Sequence, residues 1–319
     1  MISVYQGGEP LAQVVRSGFV EGYHRGSVVV LDATGGTVAQ AGDVTSPVFP
    51  RSSNKPMQAV GMLRSGLDLA DPADLALVSA SHSGEPFHID RVRKLLASAG
   101  LSEDDLRCAE DLPLSESARA AVLRAGGGKA RILMNCSGKH TGMLVTCVAA
   151  GWPIDDYRSP EHPLQVRLRA AVEDVSGERV SAVGVDGCGA PVLAISLRAL
   201  ATAFLRLVSA APGTDERAVA DAMRAHPELV SGTGADDARL MRGVAGLLSK
   251  GGAEGVLAVA VPGVGAVAIK IDDGAARARL PVLVSALRRL GVHAPVLDEV
   301  AEFPMLGGGV PVGAVRAIW

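Results

Sequence analysis

The sequence predicts an α+β fold, an antiparallel sheet flanked by helices, with a helical section between two strand-rich ends. Three observations carry that reading. Residues 1–50 alternate short apolar runs with Gly-containing turns; the middle of the chain holds apolar stretches of helical length; and Val256 to Val261 and Val264 to Ile271 form two apolar runs around a short turn, as an antiparallel pair does. We read residues 1–319 as a single domain of two subregions, a sheet part drawn from both termini and a helical part in the middle.

Composition narrows the function classes. Apolar residues make up 48% of the 319 and aromatics only 3%, so the core is large and aliphatic. A net charge of -3 with both signs interspersed gives no electrostatic case for nucleic acid or a membrane surface. The first residues, Met1 to Gln6, lack a basic segment followed by an apolar one, and no run of about 18 apolar residues exists, so neither a leader nor a membrane span is expected. Cys108, Cys136, Cys147 and Cys188 are too few in a chain this long to suggest a disulfide framework. The expectation is a soluble cytoplasmic protein.

In chain order, residues 11–16, 27–32 and 37–40 resemble strands, with Glu21 to Gly26 read as a charged surface turn between them. Val48 and Phe49 precede Arg51-Ser52-Ser53-Asn54-Lys55-Pro56, and a helix follows to Leu63, with Pro56 in its first turn. The apolar run 75–80 ends in Ser81-His82-Ser83-Gly84-Glu85, ahead of a helix over 87–98, and a short amphipathic helix covers 115–126. Ile132 to Met134 reads as a short strand entering a Cys136-Ser137-Gly138-Lys139-His140 turn, then a helix to Ala150. Helices over 162–177, 197–211 and 214–225 follow a similar pattern, and Val180 to Val185 is a strand ending at Asp186-Gly187-Cys188. A loop at 226–234 precedes a helix over 236–248; residues 273–290 form a last helix and 310–318 a last strand.

Chemistry is carried by four of these segments. Ser52 and Lys55 are three apart, so on a helix they share a face and the hydroxyl can meet the amine. A buried amine with cations nearby is pushed towards its neutral form and can accept a serine proton, and the same spacing is the nucleophile signature of β-lactamases and penicillin-binding proteins. A capping serine beside a solvated lysine accounts for the same residues without chemistry. The Ser81–Glu85 loop suits a second hydroxyl donor or a helix cap. Lys250, at the Gly-rich entry to the Val256 strand, stands where such folds put a cation beside the nucleophile. Cys136 and Cys188, flanked by lysine, histidine and aspartate, offer soft metal ligands or plain buried thiols.

Taken together, Arg51-Ser52-Ser53-Asn54-Lys55-Pro56, the Ser81–Glu85 loop, Asn135-Cys136-Ser137-Gly138-Lys139-His140, Asp186-Gly187-Cys188-Gly189, Glu21…His24-x-Gly26, Ser231-Gly232-x-Gly234 and Lys250 to Gly255 resemble the rhizobial-type bacterial L-asparaginases over nearly the whole chain. The resemblance implies a fold similar to serine β-lactamases, penicillin-binding proteins and glutaminases. It implies hydrolysis of L-asparagine by a Ser52–Lys55 pair with Arg51 alongside. A second pair would join a serine of the 81/83 loop, Ser83 preferred, to Lys250, with Lys270 as the fallback. It further implies zinc on Cys136, Lys139 and Cys188, Asp186 adjacent and acting through a metal-bound water, and a homodimer. One departure stands out: Ala235 follows Gly232-Thr233-Gly234 where similar proteins tend to have arginine. Two other readings are open, a glutaminase or other amidohydrolase of the same fold, and a non-catalytic zinc or amino-acid binding protein.

Overall fold

Val28 to Leu31, Val256 to Val261 and Ala266 to Ile269 are buried throughout, so these strands must be covered on both faces. The computed structural model describes residues 4–319; Met1 to Ser3, part of the segment read for a leader, lie outside the described residues. The strands are β1 (Glu9–Arg16), β2 (Phe19–Asp32), β3 (Thr37–Ala41), β4 (Pro47–Val48), β5 (Ala182–Val185), β6 (Pro191–Ser196), β7 (Leu248–Gly251), β8 (Val256–Val261), β9 (Gly265–Ile271), β10 (Glu302–Gly307) and β11 (Val310–Ala317). The helices are α1 (Lys55–Leu63), α2 (Pro72–Val78), α3 (Pro86–Ser98), α4 (Glu116–Arg124), α5 (Ser137–Ala150) and α6 (Pro163–Ser176), then α7 (Leu197–Ser209), α8 (Asp215–Ala225), α9 (Pro227–Val230), α10 (Asp236–Gly243), α11 (Arg279–Arg289) and α12 (Pro295–Glu299).

The large sheet runs β10-β11-β1-β2-β9-β8-β7, with β3 also on β2, and all its pairings are antiparallel. Its strands come from both ends of the chain, and the stretch between β4 and β7 is mainly helical. This is the α+β architecture, an antiparallel sheet flanked by helices, that the sequence predicts. α7 packs against β2, β8 and β9, and α11 against β9, β10 and β11. Phe204 on α7 is fully buried. Phe204→Ala should therefore destabilise the fold by about 3–5 kcal/mol, read as a lower denaturant midpoint with an unchanged slope. Among the described residues no helix is long and apolar enough to cross a membrane.

α1 sits inside the helical section against α5, α6 and α8. Gly61 makes its close approach to α6 possible, because a Cβ there would lie 2.9 Å from Leu168 Cδ2 and 3.1 Å from its Cα. Buried on nearly every side from Lys55 to Met62, α1 anchors the short turn before it, Arg51–Asn54, which packs against β7.

Several sequence expectations need correction. Glu21 to Gly26 is not a turn but the first half of β2, which pairs with β1 there and with β3 and β9 further on. Two glycines, two charges and a histidine disguise the strand; at Gly26 a Cβ would meet the Lys270 carbonyl oxygen at 2.2 Å. Residues 131–133 form a 3-10 turn rather than a strand, and Ser137 to His140 belong to the first turn of α5. The helix from Asp236 stops at Gly243, and Leu248 to Gly251, apolar-flanked but only four residues long, is β7. β6 and β10 had no strong signal: β6 follows β5 after a Gly-rich turn, and Pro304 interrupts β10, an edge strand on which a missing N–H is tolerated.

Candidate active site

Ser52 lies in a 3-10 turn, Arg51–Asn54, that feeds α1. Arg51 has φ +54°, a left-handed conformation that a non-glycine residue adopts only at a cost. The turn is pinned from both sides. Ser53 donates to the Lys250 carbonyl at 2.8 Å, and Arg51 Nε donates to Asp186 Oδ1 at 2.8 Å, tying the turn to the loop that carries Cys188. The Ser52 side chain itself has no hydrogen-bond partner among the described residues, and it faces a cavity of about 620 Å3. Its backbone N–H likewise makes no hydrogen bond among the described residues, nor does that of Ala253, which lines the same cavity.

Lys55 is 1% exposed. Its amine donates to the Ala80 carbonyl, to Ser81 Oγ at 2.9 Å and to Cys136 Sγ at 3.2 Å. The hydroxyl bonded to Lys55 is thus that of Ser81, not that of Ser52 three residues earlier. Ser81 is held there because its N–H donates to the Val230 carbonyl and the next N–H, of His82, donates to Asn135 O. His82 is buried beneath the loop: its Nε2 meets Ser137 Oγ at 2.8 Å and its Nδ1 accepts from Gly84 N. Burial, followed by His88 and Lys55 nearby, pushes the His82 imidazole well below its ordinary value and keeps it neutral.

Ser83, the preferred partner for a late lysine, gives its proton to Glu85 Oε2 at 2.7 Å instead. Lys250 lines the cavity from β7, with its amine on the Gly251 carbonyl at 2.8 Å and 3.8 Å from Asp237 Oδ2. Desolvation, only partly offset by Asp237, lowers the Lys250 pKa to about 8. Lys270 sits on β9 with its amine on the Ile271 carbonyl and does not line the cavity. Arg51 and Asp186 also stay out of the cavity wall and act as a strut behind it.

Sequence reasoning missed Asp237 and Arg279. Asp237 accepts from Ser249 Oγ at 2.6 Å and Gly251 N at 2.9 Å, fixing β7 and with it Lys250. Arg279 enters the wall from the start of α11, its Nη1 donating to Gly252 O and Val256 O. Only the folded chain brings these residues to the cavity, and no local pattern marks them. Ala235, where similar proteins carry arginine, lines the same wall.

Gly232 is required at its position. Its φ is +139°, and a Cβ would lie 2.2 Å from Ser83 Oγ. Gly232→Ala should therefore cost about 1–3 kcal/mol and disturb the Ser83 side of the cavity, seen as a lower unfolding midpoint together with a raised KM.

Cys136, Lys139 and Cys188 cluster behind the cavity, all at most 3% exposed. Lys139 Nζ is 3.3 Å from Cys188 Sγ, and Cys136 donates to Asn135 Oδ1 at 3.0 Å. When the one Cys136 proton turns from Asn135 to Cys188, that hydrogen bond, resisted by burial and helped by Lys139, favours a Cys188 thiolate, and the same bond and burial push the Cys136 thiol up. Among the described residues no three His, Cys, Asp or Glu side chains are arranged to hold a metal ion. A zinc would therefore need Lys139 as its third protein ligand. The donor types fit zinc, two soft sulfurs and one amine in a dry pocket, and the metal would have to displace the Lys139 proton, which burial disfavours but Cys188 and Cys136 hold in place.

A protein-family comparison matches L-asparaginase II over residues 12–317. No curated protein matches the chain significantly. Solved structures with distant similarity include the native form of Mglu, at 14% identity and TM-score 0.45, over 84% of this chain and 65% of that one. A β-lactamase (Mb2281c) from Mycobacterium bovis gives 15% identity and TM-score 0.42 over 84% of this chain and 95% of its own. Simvastatin synthase (LovD) from Aspergillus terreus gives 12% and 0.41 over 86% and 92%. This chain thus spans about 65% of the length of Mglu. With the family match covering 12–317 of its 319 residues, the chain belongs to the L-asparaginase II family, a family of amidohydrolases.

Proposed function

We propose that the protein hydrolyses L-asparagine to L-aspartate and ammonia, with Ser52 as the nucleophile. The observation that carries this reading is the unpartnered Ser52 hydroxyl in the cavity wall, one helical turn before the buried Lys55 and across from Lys250. In this account Ser52 Oγ attacks the side-chain amide carbon while its proton passes towards Lys55, with Ser81 as the hydroxyl already in contact with that amine. The tetrahedral oxyanion is met by the N–H groups of Ser52 and Ala253. The C–N bond breaks as the nitrogen takes up a proton and leaves as ammonia, giving an aspartyl ester on Ser52. Water, deprotonated by the lysines, then attacks that ester and frees aspartate and Ser52.

Lys250 is the second proton-handling group in this scheme, in place of a Ser83–Lys250 pair, since Ser83 is committed to Glu85. A base must be neutral to work, so kcat/KM should rise as pH passes through about 8 and level off above it. The same lowering has a stability consequence. The unfolded chain holds the Lys250 proton up to about pH 10.5 while the folded one gives it up near 8, so stability should rise with pH between those values. Lys250→Met should remove both the rate limb near pH 8 and that stability gain; persistence of the limb would assign it to another group.

We also propose zinc on Cys136, Lys139 and Cys188. Bound there, zinc supplies a positive charge and a fixed coordination frame beside the cavity. This chain's residues would contribute two thiolates and a neutral Lys139 amine, and Lys55, through its contact with Cys136, couples that pocket to Ser81. Elemental analysis should find about one zinc per chain, reduced at least about tenfold in Cys188→Ser, with zinc-dependent thermal stabilisation lost in parallel.

A further inference from the structure

Two carboxylates of the cavity wall form no ion pair among the described residues, Glu116, which is exposed to solvent, and Glu85, which is half-buried. Asp237 faces Lys250 at 3.8 Å and Asp236 faces Arg279 at 3.7 Å, whereas Glu85 forms no ion pair with any lysine or arginine of the described residues. Glu85 is nonetheless held firmly from two loops. Its Oε2 takes both the Ser83 hydroxyl at 2.7 Å and the Thr233 N–H at 2.9 Å, and the Thr233 hydroxyl adds to the same carboxylate. Gly232 lets the second loop come this close, since any side chain there would collide with Ser83 and come within 3.1 Å of Glu85 Oε2. Burial opposes ionisation of Glu85, but the Thr233 N–H and the Ser83 and Thr233 hydroxyls outweigh it and hold the carboxyl below its usual value. His88, the nearest imidazole, is kept neutral by its own burial and supplies no lasting counter-charge.

We propose that Glu85 selects the substrate by its α-ammonium group, which the Glu85 carboxylate and the Ser83 oxygen accept. The proposal rests on the asparagine-hydrolysis reading and adds a specificity-determining residue to it. Ser83 spends its only proton on Glu85, so what it offers the cavity is an oxygen lone pair. That is the wrong equipment for a nucleophile awaiting a base and the right equipment for an ammonium with three N–H donors. The missing counter-charge then comes from the substrate. A ligand without the α-amino group would leave a partly buried carboxylate unpaired, and sites built this way reject such analogues strongly.

The test compares asparagine with succinamic acid, which keeps the carboxylate and the amide but lacks the α-amino group. Steady-state ammonia release and calorimetric Kd for both compounds would be measured on the wild-type protein, Glu85→Gln and Ser83→Ala, with Kd repeated in the Ser52→Ala background. The wild type should prefer asparagine by at least about 10²-fold. Glu85→Gln, which keeps size and hydrogen-bonding shape, should collapse that preference by at least about 10²-fold, mainly through KM and Kd of asparagine. Ser83→Ala should shift it the same way by a smaller factor. Loss of the same factor for both compounds, or no change for either, would overturn the assignment. If the wild type releases no ammonia from asparagine, the hydrolysis reading fails, and the Kd ratio alone still decides whether Glu85 reads the amino group.

Discussion

Ser52→Ala should reduce kcat/KM for amide hydrolysis by at least about 10³-fold while leaving the fold intact. The hydroxyl has no internal partner to lose, so its removal breaks no hydrogen bond among the described residues, and the unfolding midpoint should stay within the small range of surface substitutions. That asymmetry is what marks a nucleophile: a large loss of rate with almost no loss of stability. By contrast Ser53→Ala, which removes a fully buried hydroxyl bonded to the Lys250 carbonyl, should cost about 1–3 kcal/mol of stability. Intact-mass spectrometry on rapidly quenched wild-type protein with asparagine should find an aspartyl adduct at Ser52. Wild-type turnover in Ser52→Ala would remove Ser52 from the nucleophile role and turn attention to Ser81, the hydroxyl that is bonded to Lys55.

Lys55→Met and Lys55→Arg should each lose at least about 10³-fold of kcat, for different reasons. Methionine has the length to fill the buried slot but no amine to take a proton. Arginine keeps the charge but does not release a proton in the relevant pH range. Lys55→Met also removes three hydrogen bonds from a buried site and takes a donor from the Ala80 carbonyl, so it should cost about 1–3 kcal/mol of stability beside the loss of rate. Retained turnover in Lys55→Arg would mean that a fixed positive charge suffices and that proton transfer runs through Lys250. The comparison of the two variants therefore assigns the base.

How far the sequence was legible depended on how local each feature was. The Ser52–Lys55 spacing and the long apolar β8 and β9 runs are written within a few residues, and both stood out directly. The choice between Ser81 and Ser83 was not local. It depends on Val230 and Asn135, more than 50 residues away, whose carbonyls aim Ser81 at Lys55, and on Thr233 helping to fix Glu85 beside Ser83. Lys250 was recognised as a candidate, but its place inside a four-residue strand, rather than after a helix, follows from Asp237 clamping Ser249 and Gly251. β2 was cut short because burial on its N-terminal half is partial: Tyr23 and Arg25 face solvent while His24 is buried on Asp273 and Arg277, so charge concealed the strand. Arg279 carried no signal at all, since its role at the wall exists only once α11 meets the end of β7.

The most direct test of the account is ammonia release by the purified protein from asparagine and from glutamine over a range of concentrations, with and without added zinc. The account predicts saturable release from asparagine, much slower release from glutamine, and a dependence on zinc that disappears in Cys188→Ser. Clear calorimetric binding of asparagine with no ammonia from either amide would contradict it and leave a binding protein on a hydrolase scaffold.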